Sequence, residues 1–451
     1  MKTFQKYAGL IVFLVLDFIL MITFVGLTPD PETIVGYPDD FLNHYQDPFI
    51  IGLALVGFFV QVLATVIAAM RTIRKEKKIR FYPDFIGESD DRRLGNSNPE
   101  ELQEIVKKFE KETGKKIEKG YIGVEVLPKV ISYNIPGKGG RLYINNNLLQ
   151  ILSPEEISAA LAVEFGNVST IKSIIAFLNF HGRTFLTFLL LFLFLPLFRT
   201  TVFVLLGSPE YDFTLNNVLS ILIIFIFFLV IAYVLYKLLA FFIKQSYFGA
   251  QYQNDITAAR LMTKKIVINM LVKTGQRSEA LDILLEEIKW LESLRIGKIY
   301  EFDEDRLKEI LFLFDPKEIS EHVARKQAPK IFLRSKFGHL VDYYHVEIPN
   351  LQTIIDSASS KLLEDRKKIR EEQHAKLKEQ GKQTLIEETV DWRSFDEDGN
   401  LNLDEEEIKK FVSTLKETKK LLFENELVVD ALFKRRPPIN LRIINLYNTK
   451  L

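Results

Sequence analysis

Carboxylate and amide side chains recur at alternate positions in the segment DEDGNLNLDEEE, residues 396–407. Oxygen-bearing side chains stand at positions of this segment that match the Ca²⁺-binding loop of an EF-hand: Asp396, Asp398, Asn400, Asn402, Asp404 and Glu407. Leu401 stands where the sharp turn of such a loop calls for glycine, and the sequence shows no second loop with which this one could pair. Calcium is therefore a candidate cofactor, and an acidic, solvated turn is the alternative.

Glu164 is a carboxylate in the otherwise apolar stretch ISAALAVEFGNVS, residues 157–169. The preceding SPEE predicts a helix start, because Ser153 and Glu156 have the spacing of a capping box and a proline follows the cap. Burying a carboxylate in such a helix costs on the order of several kcal/mol unless it has a partner or reaches water. Glu164 is thus either a helix-surface residue or part of a functional cleft.

The overall composition excludes several classes of protein. The chain has 451 residues, of which 47% are hydrophobic, and 59 basic residues balance 59 acidic ones. This composition fits neither a disordered chain nor a basic nucleic-acid-binding protein, so no nucleic-acid partner is expected. The absence of cysteine excludes disulfides, zinc fingers and a cysteine nucleophile, and six scattered histidines provide little for a metal site.

Four apolar blocks, residues 7–28, 49–70, 184–206 and 215–243, are each about long enough to cross a hydrocarbon core of about 30 Å. We predict four transmembrane helices from them; a cleaved secretory signal is the alternative for the first, although its apolar run is long for one. Lysine and arginine flank the blocks, whereas the connection between the first two has no basic residue. The predicted localisation is an integral, multi-pass membrane protein with both termini and the soluble segments in the cytoplasm.

Two ionisable residues interrupt the predicted spans, Asp17 in the first and Arg199 in the third. Such residues usually face a partner helix or a cavity. The alternative is that Arg199 extends to the interface and Asp17 is protonated or hydrogen-bonded.

The segments outside the blocks have patterns of helix and sheet. A proline and two acidic residues predict a helix from 99 to about 113, and alternating β-branched and aromatic residues predict a short antiparallel sheet between about 120 and 149. An amphipathic helix is expected at about 278–294, and a charged helix or linker at about 360–385.

Three segments carry a resemblance to a known family. They are YNIPGKGGRLYINNNLLQILSPEEISAALAVEFGNV (133–168), QYQNDITAARLM (251–262) and RRPPINLRIINL (435–446). In their order among the apolar blocks they resemble HtpX and the CAAX-prenyl-protease group, integral-membrane zinc metallopeptidases. The resemblance implies a mainly α membrane protein of the α+β class. It would have four transmembrane helices, a cytoplasmic zincin-like (gluzincin) helical core with a small antiparallel sheet, and a helical C-terminal insertion.

The family's zinc helix carries the motif HExxH, in which two histidines bind zinc and the glutamate is the general base. Here the matching residues are Val163, Glu164, Phe165, Gly166 and Asn167, so the base position is kept and both histidines are lost. The resemblance implies that Glu164 is a vestigial general base and that Val163 and Asn167 are degenerate ligand positions.

The resemblance assigns four further positions. Gln251 replaces the glutamate that is the family's third zinc ligand, whereas the second-shell aspartate is retained as Asp255. Asn134 lies in the segment that matches the substrate-binding edge strand, and Arg436 replaces a histidine near the C-terminus. Valine has no lone pair, and amides are weak ligands for zinc, so no zinc is expected.

The expected function is that of a catalytically inactive peptidase homologue, which binds polypeptide or a membrane-protein partner through the edge strand between 131 and 144 and contacts membrane lipid. One alternative is an active membrane metalloendopeptidase with an altered metal site. Another is a membrane-anchored scaffold or calcium sensor that acts through its C-terminal domain.

The predicted organisation has six parts. They are an N-terminal transmembrane hairpin (1–70), a peptidase-like segment (71–183), a second transmembrane hairpin (184–243), the degenerate ExxxD helix with the helices after it (244–300), the C-terminal insertion (301–434) and the family's C-terminal segment (435–451).

Overall fold

The computed structural model describes residues 99–123, 130–135, 139–166, 248–294, 321–379, 389–423 and 437–450, together with 78–80, 128 and isolated helical positions between 15 and 67 and between 226 and 245. The chain divides into two compact units. One comprises Met1–Glu76, Ile171–Gln251 and Asp430–Arg436; the other comprises Lys77–Thr170, Tyr252–Val429 and Pro437–Leu451. Nearly all the described elements belong to the second unit.

No helix in the described part of the chain combines the length and the apolar character that crossing a membrane requires. This finding contradicts the predicted fold class with four transmembrane helices and the predicted multi-pass membrane localisation with cytoplasmic termini. The longest described helices carry many charged residues, which a bilayer would exclude. The four predicted spans, including Asp17 and Arg199, lie outside the described residues except for isolated helical positions.

The sheet has four described strands: β1 (Lys78–Arg80), β2 (Ile117–Gly123), β3 (Val130–Ile135) and β4 (Gly139–Asn145). Their order is β1-β2-β4-β3, with β1 antiparallel to β2, β2 parallel to β4, and β3 antiparallel to β4. The prediction of an antiparallel sheet is therefore wrong at one pairing. The strand β3 follows the chain into β4 and occupies one side of it. The other side of β4 pairs with β2, and these two strands run in the same direction.

Eight described helices are α1 (Pro99–Thr113), α2 (Asn146–Ile151), α3 (Pro154–Phe165), α4 (Lys264–Ser293), α5 (Glu321–Tyr344), α6 (Leu351–Glu379), α7 (Glu405–Thr418) and α8 (Ile439–Asn448). Residues 248–261 are also helical, and Trp392–Phe395 form a 3₁₀ turn. The predicted helix from 99 to about 113 is confirmed, as is the capping box between Ser153 and Glu156 at the start of α3.

One hydrophobic core joins α3 to the sheet, to α1 and to the first half of α4. The helix α1 turns Leu102, Val106 and Phe109 inward, at the spacing of one helix face. The helices α7 and α8 contribute Phe411 and Ile443 to the same core. The C-terminal elements are thus built into the body of the second unit.

A second core lies where the later half of α4 packs against α5 and α6. Its polar centre is Glu287, a buried carboxylate that Arg325, Arg366 and Arg370 approach at 2.9, 2.9 and 3.3 Å. Arg366 also stacks over Trp290, with its guanidinium carbon 4.6 Å from the ring centroid. Three guanidinium groups therefore hold α5 and α6 to a single carboxylate of α4.

Gly275, in the middle of α4, allows the close approach of two neighbouring segments. A Cβ at this position would lie 2.1 Å from Cε2 of Phe423 and 2.5 Å from Cδ1 of Ile439. Both distances are far below van der Waals contact, so a side chain here would push α8 or Phe423 away.

We expect Gly275→Ala to lower the melting temperature of the chain, although alanine is the better helix former. The overpacking should cost about 1–3 kcal/mol. Gly249→Ala is the matched control, because no described atom lies within 4 Å of the added Cβ there. Thermal unfolding followed by circular dichroism checks the prediction, and a Gly275→Ala chain as stable as the wild type would contradict it.

Candidate functional site

The helix α3 places Glu164 near its C-terminal end, in a buried position with 4% of its surface exposed. Val163 beside it is equally buried. The side-chain hydroxyl of Ser132 in β3 donates a hydrogen bond to the main-chain carbonyl of Glu164 at 2.5 Å. The edge strand and the last turn of α3 are therefore held together at Glu164.

The C-terminal end of α3 is capped by a cation from another element. The Nζ of Lys115 donates to the carbonyl oxygens of Phe165 at 2.9 Å and Gly166 at 3.1 Å. A positive charge at this end of a helix complements the helix dipole and satisfies carbonyls that have no partner within the helix. This contact fixes the end of α3 next to Glu164.

Gly166 allows Asn254 to pack against the end of α3. A Cβ on Gly166 would lie 2.2 Å from Oδ1 of Asn254, although the φ of this glycine, −53°, is one that any residue adopts. Close packing is thus the reason for glycine at this position. In the resemblance it is a variable position of the zinc motif.

Asp255, the predicted second-shell carboxylate, is fully buried and forms a two-point ion pair with Arg442 of α8. Nε of Arg442 donates to Oδ2 at 2.9 Å, and Nη2 donates to Oδ1 at 2.6 Å. Tyr252 lies close by: burial and the negative charge of Asp255 raise the pKa of its hydroxyl, an effect that Arg442 partly opposes. Both oxygens of Asp255 are thus engaged by an arginine.

Sequence reasoning did not single out Arg442, although it lies in the quoted segment RRPPINLRIINL. In the structure this arginine faces inward from a helix whose residues Ile443 and Leu446 are in the core, a burial that depends on tertiary packing. A buried arginine requires a carboxylate partner, and Asp255 is a buried carboxylate.

The remaining predicted zinc positions do not form a metal site among the described residues. Gln251 is buried and belongs to the other compact unit, whereas Asn167 lies outside the described residues. Arg436, which replaces the family's histidine near the C-terminus, also lies outside them. Val163 offers no donor atom, and no described group of three or more potential ligands includes Glu164. These residues do not fit the donor set of a catalytic zinc ion. Asn134 lies in β3, where it is paired with Gly140.

The described residues do bring three ligand groups together elsewhere. One carboxylate oxygen each from Asp396, Asp398 and Glu407 lies within 4.8 Å of the other two. We call residues 396–407 the acidic loop. It follows the 3₁₀ turn and ends in the first turn of α7.

Within the acidic loop, main-chain N–H groups donate hydrogen bonds to side-chain oxygens, so the backbone turns around the carboxylates. Oδ2 of Asp396 accepts the N–H of Leu401 at 2.9 Å, and Oδ1 of Asp398 accepts the N–H of Asn400 at 3.1 Å. Oδ1 of Asn400 accepts the N–H of Asn402 at 2.7 Å. Leu401 has a φ of +62°, so it adopts the left-handed conformation that the loop requires at this position.

The far end of the acidic loop is a second capping box, formed by Asp404 and Glu407 at the start of α7. Oε2 of Glu407 accepts the N–H of Asp404 at 2.7 Å, and its Oε1 accepts the N–H of Glu397 at 2.8 Å. Glu407 is buried and therefore spans the loop from its first turn to its last.

Two side chains of α4 anchor the acidic loop to the core. The amide of Asn269 pairs with the main chain of Leu403: its Nδ2 donates to the carbonyl at 2.9 Å and its Oδ1 accepts the N–H at 2.7 Å. Nζ of Lys273 donates to Oδ1 of Asn402 and to Oε1 of Glu156, both at 2.7 Å. Sequence reasoning missed both anchors, since each lies more than a hundred residues from the loop.

Asp396 is the least favourably placed carboxylate of the acidic loop. Burial raises the pKa of its carboxyl, and the neighbouring Asp398 and Glu407 raise it further, whereas the N–H of Leu401 lowers it. Its Oδ1 is buried and has no hydrogen-bond partner among the described residues.

Comparisons of the chain with protein-family models, with curated proteins and with solved structures find no match. The resemblance to the membrane zinc peptidases stays a prediction, as do the polypeptide, membrane-protein and lipid partners that it implied.

We expect Arg442→Met to destabilise the second unit by about 3–5 kcal/mol, because it leaves the Asp255 carboxylate buried without its guanidinium. Arg260→Met, an exposed arginine four residues from the start of α4, is the matched control and should change stability little. Denaturant unfolding of both variants measures the difference.

The double variant Asp255→Leu with Arg442→Met distinguishes two causes of lost stability: a carboxylate left buried without its partner, and the loss of the arginine side chain itself. It should be more stable than Arg442→Met alone, since no charge is left buried. If the double variant loses as much stability as the sum of the two single variants, the two residues are not coupled.

Proposed function

We propose that this protein binds an extended polypeptide along the outer side of β3, next to Glu164, and does not hydrolyse it. The observation that carries the proposal is that β3 is an edge strand of the described sheet and is fixed to the main chain of Glu164 by Ser132. An edge strand presents main-chain donors and acceptors to which a further strand can pair.

The two edges of the described sheet differ in a way that favours β3. The edge strand β1 has three residues, two of them the basic Lys78 and Arg80. Short strands and lysine are devices that prevent an edge from accepting another strand. The edge strand β3 is twice as long, and its sequence VISYNI has neither a charged residue nor proline. The edge beside Glu164 is therefore the one that lacks such protection.

The absence of hydrolysis follows from the chemistry of the side chains around Glu164. A zinc peptidase uses its metal to lower the pKa of the bound water and to polarise the scissile carbonyl. Val163 cannot ligate a metal, and Arg442 neutralises Asp255. A general base acting alone contributes about 10²- to 10⁴-fold, far less than peptide hydrolysis requires.

Fluorescein-labelled β-casein, an unfolded polypeptide, is a suitable probe for this proposal. We expect fluorescence anisotropy to report saturable binding to the full chain and electrophoresis to show intact casein, with or without added zinc. Glu164→Gln should bind casein as the wild type does, because the proposed binding uses the main chain of β3.

Proline substitution locates the bound strand. Neighbouring residues of an edge strand direct their N–H groups alternately to the sheet and to the outside. Of the two variants Tyr133→Pro and Asn134→Pro, one therefore removes an N–H that points outward, and the other removes an N–H that points to the sheet. The variant that loses the outward N–H should keep its melting temperature and bind casein at least about tenfold more weakly, because a ladder hydrogen bond is lost and the ring obstructs pairing. Lys78→Pro, at the first residue of the opposite edge, is the control and should bind normally.

Two results would overturn the proposal. Casein binding unchanged in both β3 variants would exclude this edge as the binding surface. Casein cleavage that needs stoichiometric zinc and disappears in Glu164→Gln would instead support the alternative of an active metallopeptidase with an altered metal site.

A further inference from the structure

The acidic loop has the ligand chemistry of a hard cation. Its side-chain donors are all oxygen atoms, carboxylates at Asp396, Asp398, Asp404 and Glu407 and an amide at Asn400. Ca²⁺ prefers such a set in a flexible arrangement, whereas zinc prefers nitrogen and sulfur. Mg²⁺ requires a stricter octahedral geometry and keeps several of its waters.

The loop already has the closed conformation that ligation needs. One carboxylate oxygen each from Asp396, Asp398 and Glu407 lies within 4.8 Å of the other two. The loop therefore brings together side chains from its first and its last position. Leu401 adopts the left-handed backbone conformation at the position where a calcium loop has glycine for its sharp turn.

A second observation concerns one oxygen atom of Asp396, whose side chain is partly buried and whose other oxygen accepts the N–H of Leu401. Oδ1 of Asp396 is buried, has no hydrogen-bond partner among the described residues, and belongs to the group of converging carboxylates. A buried carboxylate oxygen without a donor is costly, and the two ionised carboxylates that converge with Asp396 have no proton to donate to it. A cation held between them would satisfy this oxygen and remove the repulsion among the three groups.

Asn269 explains how one loop can be stable without a second loop beside it. Its amide makes two hydrogen bonds to the main chain of Leu403, the pairing that a neighbouring strand would otherwise provide. Lys273 holds Asn402 through the side-chain oxygen and leaves its main-chain carbonyl, which a calcium loop uses as a ligand at this position, out of that contact.

We propose that the acidic loop, residues 396–407, is a binding site for one Ca²⁺ ion. Asp396, Asp398, Asn400, Glu407 and the main-chain carbonyl of Asn402 would hold the ion, with Asp404 reaching it through water. The proposal does not depend on polypeptide binding at β3.

Calorimetric titration of the full, metal-free chain with CaCl₂ tests the site. We expect one saturable event per chain, with a dissociation constant on the order of 10⁻⁵ to 10⁻³ M, the range of weaker loops of this kind. Titration with MgCl₂ at the same concentrations should give much weaker binding. Thermal unfolding with and without calcium should show a higher melting temperature with calcium, because the ion binds the folded chain.

Two variants and a control make the test specific. Asp396→Asn keeps an oxygen for the N–H of Leu401 but removes one charge, so the metal-free chain should be as stable as the wild type or more so, and calcium affinity should fall at least about tenfold. Glu407→Gln should also lose affinity. Glu406→Gln removes the same charge from an exposed position that is not a ligand, and it should bind normally.

The absence of a saturable event up to about 10 mM calcium would overturn the proposal, because this concentration is well above the dissociation constants of the weakest loops of this kind. So would equal calcium affinity in the wild type, Asp396→Asn and Glu407→Gln, which would place the ion elsewhere. Because Asp396→Asn is expected to fold normally, its result is decisive even if Glu407→Gln unfolds.

Discussion

The ammonium group of Lys273 is the contact on which the arrangement of the second unit depends. It donates to Glu156 at the start of α3 and to Asn402 in the acidic loop. The other oxygen of Glu156 accepts the N–H of Ser153 at 2.9 Å, so this one carboxylate both caps α3 and neutralises the lysine. A buried lysine without such partners would cost several kcal/mol, on the order expected for an isolated ion. Lys273 therefore fixes the helix of Glu164 and the acidic loop to α4 at the same point.

The helix α4 can serve both cores because its two halves face different partners. Its first half supplies Asn269 and Lys273 to the acidic loop and to α3, and its second half supplies Glu287 to the arginines of α5 and α6. Gly275 lies between these regions, where the close approach of Phe423 leaves no room for a side chain. A single helix of thirty residues thus fixes the positions of elements that are far apart in sequence.

Sequence patterns identified the features whose causes are local. The capping box at Ser153, the helix from 99 to about 113 and the turn chemistry of the acidic loop all follow from residues within a few positions of one another. The parallel pairing of β2 with β4 and the partners Asp255 and Arg442, 187 residues apart, depend on tertiary packing. Hydropathy predicted membrane helices from apolar runs alone, a criterion that no described helix meets.

The donor atoms of the chain explain why its metal chemistry would belong to the acidic loop and not to α3. A site for zinc needs imidazole or thiolate, and this sequence has no cysteine and six dispersed histidines. The predicted site residues instead lie among structural contacts: Lys115 holds the end of the helix that carries Glu164, and Arg442 pairs with Asp255. The acidic loop brings three carboxylates together, and oxygen donors select a hard cation. The shape of the β3 edge depends on its pairing with β4 and on the end of α3, through Ser132 and Lys115, and these contacts need no metal.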